Sequence, residues 1–187
     1  GLFMPQQTPQ TSQSPASPRI DPKKALEILN LTDESDLPLD DFEDELIKQT
    51  SIAKDMGFER AKLFFKAMTT QESGGKESAV SPKSARGRYQ VTDTLAKSKY
   101  KGLDNTNPAF NRYMGIDYWD EGYQKSKEFS SDPVERAAIA TSYFHGGDGA
   151  LNRLRKSGGE LSTADDGLIT TNDHVFAVMS RWKKGIE

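Results

Sequence analysis

The spacing of hydrophobic residues along the chain predicts a mainly helical protein. Apolar side chains recur at intervals of three and four residues, which is the repeat of one face of an α-helix. The most regular segment has apolar residues at i, i+3, i+4 and i+7, namely Ala61, Phe64, Phe65 and Met68. A less regular pattern predicts a preceding helix from about Asp40 to Met56, ended by Gly57.

Residues that favour helix ends mark the later helices. Thr92 and Pro108 stand at the start of two of them. Asp132 precedes a third, which the glycines at 146 and 147 are expected to end. A short helix is predicted to follow these glycines, and Thr171 is the expected N-cap of the last helix.

The helical period is lost between Ser73 and Tyr89. This segment contains three glycines and a proline, which predict an irregular loop with a short hairpin. Strand patterns are otherwise almost absent. The predicted class is therefore mainly α, a helical bundle with a small irregular or β lobe around residues 73–91.

Composition divides the chain into three parts. Residues 1–20 are mostly Pro, Gln, Ser and Thr, which predicts a flexible tail or linker because such residues bury little apolar surface. Residues 21–44 are expected to hold a short helix and an acidic connector, and residues 45–187 the folded domain. The start has neither the basic region nor the apolar core of a signal peptide. No apolar run approaches the roughly 20 residues of a membrane span.

Charge and residue usage exclude several classes of function. The net charge of −3 argues against a protein dedicated to duplex DNA. The chain has no Cys, which excludes disulfides and thiolate catalysis. Its two histidines, His145 and His174, lack the spacing of a zinc motif, so no metal site is expected. Residues 58–101 carry ten basic and four acidic residues, which form either solvated helix faces or a surface for an anionic polymer.

A single acidic residue extends the apolar face of the clearest helix. The series Ala61, Phe65 and Met68 reaches Glu72 at the next step. A carboxyl group at a helix C-terminus and next to a core is disfavoured in its charged form, so we expect its pKa to be raised. A glutamate that keeps its proton near neutral pH can act as a general acid. The alternative is a helix-end glutamate that points into water.

The residues after Glu72 resemble a known signature. "ESGGKESAVSPKSARGRYQ" is similar to the motif of family-1 lytic transglycosylases, the Slt-like enzymes with a lysozyme-type fold. Nine positions match in register, namely Glu72, Ser73, Ala79, Val80, Ser81, Pro82, Ala85, Gly87 and Gln90. Ser84 replaces a usual glycine, and Arg88 and Tyr89 replace two usual apolar residues. The ending "GRYQ" resembles the lysozyme of phage lambda instead.

A second motif of the family follows a helix and contains a tyrosine and an asparagine. Here "YFHGGDG" places Phe144 at the tyrosine and His145 at the asparagine, followed by Gly147. A late motif matches weakly at "TNDHVFAV", where His174 stands in place of the usual tyrosine. The resemblance covers roughly residues 45 to 185 and implies an α+β lysozyme-like fold with an active-site cleft between the two lobes.

The resemblance implies a peptidoglycan lytic transglycosylase with Glu72 as its single catalytic residue. The glutamate would protonate the bond between MurNAc and GlcNAc and then deprotonate the MurNAc 6-hydroxyl, giving a 1,6-anhydro sugar without metal or cofactor. Glu77, Asp93 and Asp148 are the candidates for a second carboxylate. The expected substrate-binding residues are Ser73, Ser81 and Gln90 as hydrogen-bonding groups, Gly87 for close backbone approach, Tyr89, Tyr143 and Phe144 for stacking, and His145 and Gly147 in the second motif.

Two other functions stay open from the sequence. One is a muramidase that uses water, and the other is a degenerate module that binds glycan or has a structural role. The expected partners are peptidoglycan glycan strands and the rest of a larger virion protein, with no nucleic acid. The expected location is a phage virion that acts on the host cell wall, or else a secreted or periplasmic bacterial enzyme.

Overall fold

The computed structural model describes residues 39–158 and 169–186, and these form seven α-helices and one two-stranded sheet. The mainly helical class with a small second lobe is confirmed. The predicted tail and the helix expected after Asp21 lie outside the described residues. The helices are α1 (Leu39–Lys48), α2 (Ser51–Met56), α3 (Phe58–Ser73), α4 (Asp93–Lys99), α5 (Pro108–Lys125), α6 (Pro133–Lys156) and α7 (Ile169–Ile186).

The predicted helix from Asp40 to Met56 is in fact two helices. Thr50 separates them: its hydroxyl donates to the carbonyl oxygen of Ile47 (2.6 Å) and accepts from the N–H of Ala53 (3.3 Å), which caps α2. The apolar pattern missed this break because α1 and α2 both turn apolar residues toward the same core. Gly57 ends α2 as predicted, with φ +92°.

The apolar face of α3 lies at the centre of the core. Ala61, Phe64, Phe65 and Met68 are at most 1 % exposed. The ring of Phe64 packs between Trp119 of α5 (centroids 4.5 Å apart) and Trp182 of α7 (5.2 Å). Aromatic rings bury large apolar areas, so these contacts fix α3 between α5 and α7.

The small lobe lies between α3 and α4. Its two strands, β1 (Ala85–Arg86) and β2 (Val91–Thr92), pair antiparallel with Arg86 opposite Val91. Val80 adds an isolated bridge to Arg86. Thr92 caps α4 as predicted, since its hydroxyl accepts from the N–H of Leu95 (3.1 Å). The irregular lobe expected around residues 73–91 is therefore present.

The backbone of α6 leaves the helical conformation at Gly147, so this element consists of two helical segments, as the glycines at 146 and 147 predicted. The helix begins at its predicted cap, where Asp132 accepts from the N–H of Glu135 (3.2 Å). Gly147 has φ +62° and ψ −154°, a conformation that favours glycine, and helical structure resumes to Lys156. The prediction of Thr171 as a cap was wrong, because α7 begins at Ile169. Among the described helices, none has the length and apolar character needed to cross a membrane.

Candidate active site

Glu72 lies in the last turn of α3, where the helical core meets the small lobe. Its side chain is only 13 % exposed. The helix ends at Gly74, whose left-handed conformation (φ +66°) turns the chain into the loop. The helical register predicted from the apolar face is therefore confirmed, and it places a carboxyl group at the edge of the core.

His174 of α7 contacts the carboxyl group of Glu72. Its Nε2 lies 2.8 Å from Oε1 of Glu72, and its side chain is also 13 % exposed. The N–H direction is not that of a well-aligned hydrogen bond, so the contact is mainly electrostatic and attractive when the imidazole is protonated. The antiparallel packing of α3 and α7 brings the two together, as shown by Nε1 of Trp182, which donates to the carbonyl oxygen of Arg60 (3.1 Å).

His145 of α6 completes a group of three titratable side chains. Its ring stacks on that of His174 with centroids 4.9 Å apart and an angle of 25° between the planes. Partial removal from water and the nearby His174 lower the pKa of His145, while the charge of Glu72 opposes this shift. Lys83 of the loop adds to the lowering. Titratable side chains from α3, α6, α7 and the loop after α3 therefore lie close enough to influence one another.

The predicted hydrogen-bonding residues of the loop serve the loop itself. The irregular backbone of the loop has N–H and carbonyl groups that need partners, and these side chains supply them. Their hydrogen bonds given below therefore go to the loop backbone and not to Glu72. The bonds are Ser73 Oγ to the carbonyl oxygen of Arg88 (2.8 Å), Gln90 Nε2 to those of Gly87 (2.9 Å) and Ala79 (3.2 Å), and the N–H of Ala85 to Ser81 Oγ (3.0 Å).

Gly87 is required by a neighbouring side chain, and the expected close approach of a glycan is not supported. The residue is buried, with φ +77°, and a Cβ there would lie 2.7 Å from Nδ2 of Asn111. That amide donates to the carbonyl oxygen of Arg86 (2.8 Å), and its Oδ1 accepts from the N–H of Tyr89 (2.9 Å). Asn111 anchors the lobe to α5, and no sequence motif had identified it.

The expected stacking of Tyr89 and Tyr143 on sugar rings is corrected by their burial. Tyr89 is 0 % exposed, and its hydroxyl donates to Oε2 of Glu43 (2.7 Å). Burial and the charge of Glu43 raise its pKa well above the usual value. Tyr143 is 3 % exposed, and its hydroxyl bonds the carboxylate of Glu121. Both rings are part of the interior, so neither presents a face to a ligand.

Phe144 lies at the edge of the core. It is half-buried, and its ring centre is 5.8 Å from that of Tyr118. Burial raises the pKa of Tyr118 to about 12. Position 144 supplies an apolar contact, and the hydroxyl that the resemblance places there is missing.

The three candidates for a second carboxylate each have a cationic partner. Nη2 of Arg112 lies 2.6 Å from Glu77, Nε of Arg86 lies 3.1 Å from Asp93, and Nζ of Lys125 lies 3.1 Å from Asp148. For Asp93, the hydrogen bonds from Asn105 and Arg86 lower the pKa of the carboxyl group. Within residues 39–158 and 169–186, no group of three or more His, Cys, Asp or Glu side chains could hold a metal ion.

Comparison with models of known protein families identifies the domain. Residues 50–166 match the transglycosylase SLT domain, a segment that covers more than half of the chain and contains Glu72, the loop and α6. The chain belongs to the transglycosylase SLT domain family. No curated protein and no solved structure matches it.

Members of the SLT family are lytic transglycosylases, which act on peptidoglycan. The SLT segment of this chain does not include every side chain that shapes the site. His174 lies downstream of it, and Glu43, the partner of Tyr89, lies upstream. Sequence reasoning noted His174 as a departure within the late motif without assigning it to the site, and it missed Glu43.

Proposed function

We propose that this protein is a peptidoglycan lytic transglycosylase that uses Glu72 alone as acid and base on the β-1,4 bond between MurNAc and GlcNAc. The observation that carries the proposal is the setting of Glu72. It is a poorly exposed carboxyl group inside the SLT segment, and its recorded partner is a histidine, which can lose its charge. The three candidate second carboxylates are paired with Arg or Lys.

The reaction requires two proton transfers at one residue. The protonated carboxyl group of Glu72 donates to the glycosidic oxygen, and the bond from that oxygen to the anomeric carbon of MurNAc breaks. The N-acetyl group of MurNAc assists in place of a second carboxylate. The carboxylate of Glu72 then takes the proton of the 6-hydroxyl, whose oxygen bonds to the anomeric carbon. The products are a free GlcNAc end and a 1,6-anhydroMurNAc end, and no water is consumed.

His174 is the residue we assign to orient Glu72. It occupies the motif position at which the resemblance places a tyrosine, and its Nε2 lies 2.8 Å from the carboxyl oxygen. A protonated imidazole there stabilises the carboxylate that forms after the first proton transfer. The ring of His145 stacks on His174 and holds the imidazole that faces Glu72 from its other side.

The proposed setting is a virion protein that opens the host cell wall locally during phage entry. The support is the likeness of the ending "GRYQ", residues 87–90, to the phage lambda enzyme. Peptides of this chain in purified virions would support this setting. The same peptides in the periplasm of uninfected cells would indicate a bacterial enzyme instead.

Mass spectrometry of digested peptidoglycan tests the chemistry. Purified sacculi treated with the protein should release muropeptides with anhydro ends, which are lighter by one water than reducing ends. Reducing ends would indicate the hydrolytic muramidase. The matched variants are Glu72→Gln, which should release nothing above background, and Glu59→Gln on the exposed start of the same helix, which should act as wild type. Release that is equal for wild type and Glu72→Gln would leave only the glycan-binding or structural module.

A further inference from the structure

A second poorly exposed glutamate lies on α1, upstream of the SLT segment. The side chain of Glu43 is 10 % exposed. Its two oxygens accept from Nε (2.9 Å) and Nη2 (3.2 Å) of Arg88, and Oε2 also accepts from the hydroxyl of Tyr89. Nε of Arg112 on α5 lies 3.8 Å from the same oxygen. A carboxylate with a two-point arginine contact is held in a defined orientation.

Arg88 carries this contact to the turn directly after Glu72. Its carbonyl oxygen accepts from the hydroxyl of Ser73 (2.8 Å), the residue that follows Glu72. Its Nη1 lies 3.5 Å from the carbonyl oxygen of Gly75, and a Cβ at Gly75 would lie 3.3 Å from the same nitrogen. Backbone and side chain of one arginine therefore support both ends of the turn.

The turn also bonds the end of α3 through its backbone, since the N–H groups of Gly74 and Gly75 donate to the carbonyl oxygens of Thr70 (2.9 Å) and Thr69 (3.2 Å). A cavity of about 630 Å³ opens beneath it and is lined in part by Glu43, Arg88, Gly74 and Gly75. The charged contact between Arg88 and Glu43 lies in the wall of this cavity, next to the turn. Burial alone would lower the pKa of Arg88, but the hydrogen bonds and charge of Glu43 raise it above its usual value.

The two loop residues that bond Glu43 depart from the Slt-like signature. Arg88 and Tyr89 stand where the Slt-like signature has two apolar residues, and both bond Glu43. The partner comes from a helix that the family match does not include. Arg88 and Tyr89 in the loop and Glu43 on α1 therefore form one hydrogen-bonded group.

We propose that Glu43 is a positioning residue for Glu72: by holding Arg88 under the turn, it fixes the end of α3 and the direction of the catalytic carboxyl group. The inference rests on the proposed function, since it is the transglycosylase reaction that needs Glu72 in place. It also assigns α1 to the catalytic unit, although this helix precedes the SLT segment.

The experiment compares Glu43→Gln with Asp44→Asn in the full chain. Asp44 is the next residue on α1 and lines the same cavity, but its ion pair is with Lys62 of α3 (3.1 Å) and not with Arg88. Each variant is assayed for kcat and KM on soluble glycan strands. Amide hydrogen exchange of residues 73–90 is measured by mass spectrometry, which reports on the turn whether or not the protein is active.

Glu43→Gln should exchange faster than wild type at residues 73–90 and lose about tenfold to a hundredfold in kcat, because a small misplacement of a catalytic group is costly. KM should change little, and Asp44→Asn should match wild type in both readouts. An active wild type with unchanged kcat in Glu43→Gln would overturn the inference, and so would unchanged exchange at the turn. An inactive wild type with faster exchange in Glu43→Gln would instead contradict the proposed function and leave the contact to the turn supported.

A second variant decides the matter if Glu43→Gln does not fold. Arg88→Lys keeps the positive charge but loses the two-point contact with Glu43. It should fold and show the same faster exchange at the turn together with a lower kcat. Wild-type values for both quantities in Arg88→Lys would overturn the inference.

Discussion

The regions around Glu43 and Glu72 hold two glutamates of almost equal exposure, 10 % and 13 %, in opposite settings. Glu43 faces a guanidinium and a tyrosine hydroxyl, groups that keep their protons near neutral pH. Glu72 faces a histidine, a side chain that can either carry a positive charge or be neutral, with a second histidine stacked behind it. Burial alone therefore does not decide what a carboxyl group does. The permanence of its partner's charge separates a structural acid from one suited to proton transfer.

The largest expected effect is on the stability of the Glu43 region. Glu43→Gln should lower the free energy of unfolding by about 3 kcal/mol, because it removes one side of a buried ion pair and leaves the charge of Arg88 uncompensated. Glu72→Gln should change stability by less than about 1 kcal/mol, since an amide of the same shape keeps the contact with the His174 ring. Urea unfolding followed by circular dichroism measures both. Equal losses in the two variants would remove the distinction between the two regions.

Tyr89→Phe should lower the free energy of unfolding by less than Glu43→Gln does. The change removes one hydrogen bond to a carboxylate, which contributes about 1.5 kcal/mol. In a Glu43→Gln background the same substitution should lower the free energy of unfolding by clearly less, because the charged acceptor is gone. Urea unfolding of the two single variants and the double variant gives the coupling. Strictly additive losses would mean that Tyr89 is stabilised by packing and not by Glu43.

His174→Phe should affect activity more than stability. It removes the group that faces the carboxyl oxygen, and we expect a fall of about tenfold in kcat, equivalent to about 1.4 kcal/mol. His174→Tyr, with the residue that the resemblance places there, is the matched control and should keep most of the activity. The measurement is kcat on soluble glycan strands. If the Phe and Tyr variants both matched wild type, His174 would have no part in orienting Glu72.

The smallest effect is a pH dependence that comes from His145. Its pKa is lowered in the folded protein, so the unfolded chain binds more protons just below about pH 6.5. The contribution of His145 to stability is then present above that pH and is lost as the pH falls through this window. His145→Gln should therefore show a smaller drop in the urea midpoint from about pH 7.5 to about pH 5.5 than wild type. An unchanged pH dependence would place His145 outside the electrostatic group.

Local patterns in the sequence were enough to predict most of the described helices. The i, i+3, i+4 series predicted the buried face of α3, and the Asp132-Pro133 pair predicted the start of α6. These signals work because helix register and capping depend on residues within about one turn of each other. The break at Thr50 was missed because the apolar period continues across it.

The roles of the loop side chains could not be predicted in the same way. Tyr89 and Tyr143 were expected at a sugar-binding surface, yet both hydroxyls bond acids inside the protein. A tyrosine in a sequence shows only that one end of the side chain is apolar and the other polar. Whether its ring faces solvent or a packed neighbour depends on elements far away in the chain.

The sequence by itself determined the position of the acid on its helix and, through the matching motif, the family to which the domain belongs. Only the tertiary structure decided which partners the two glutamates have. Glu72 meets His174 through the packing of α3 against α7, and Glu43 meets Arg88 across 45 positions of the chain. Such pairs are set when whole helices pack by their apolar faces, and the charged groups on the adjoining surfaces are brought together as a result.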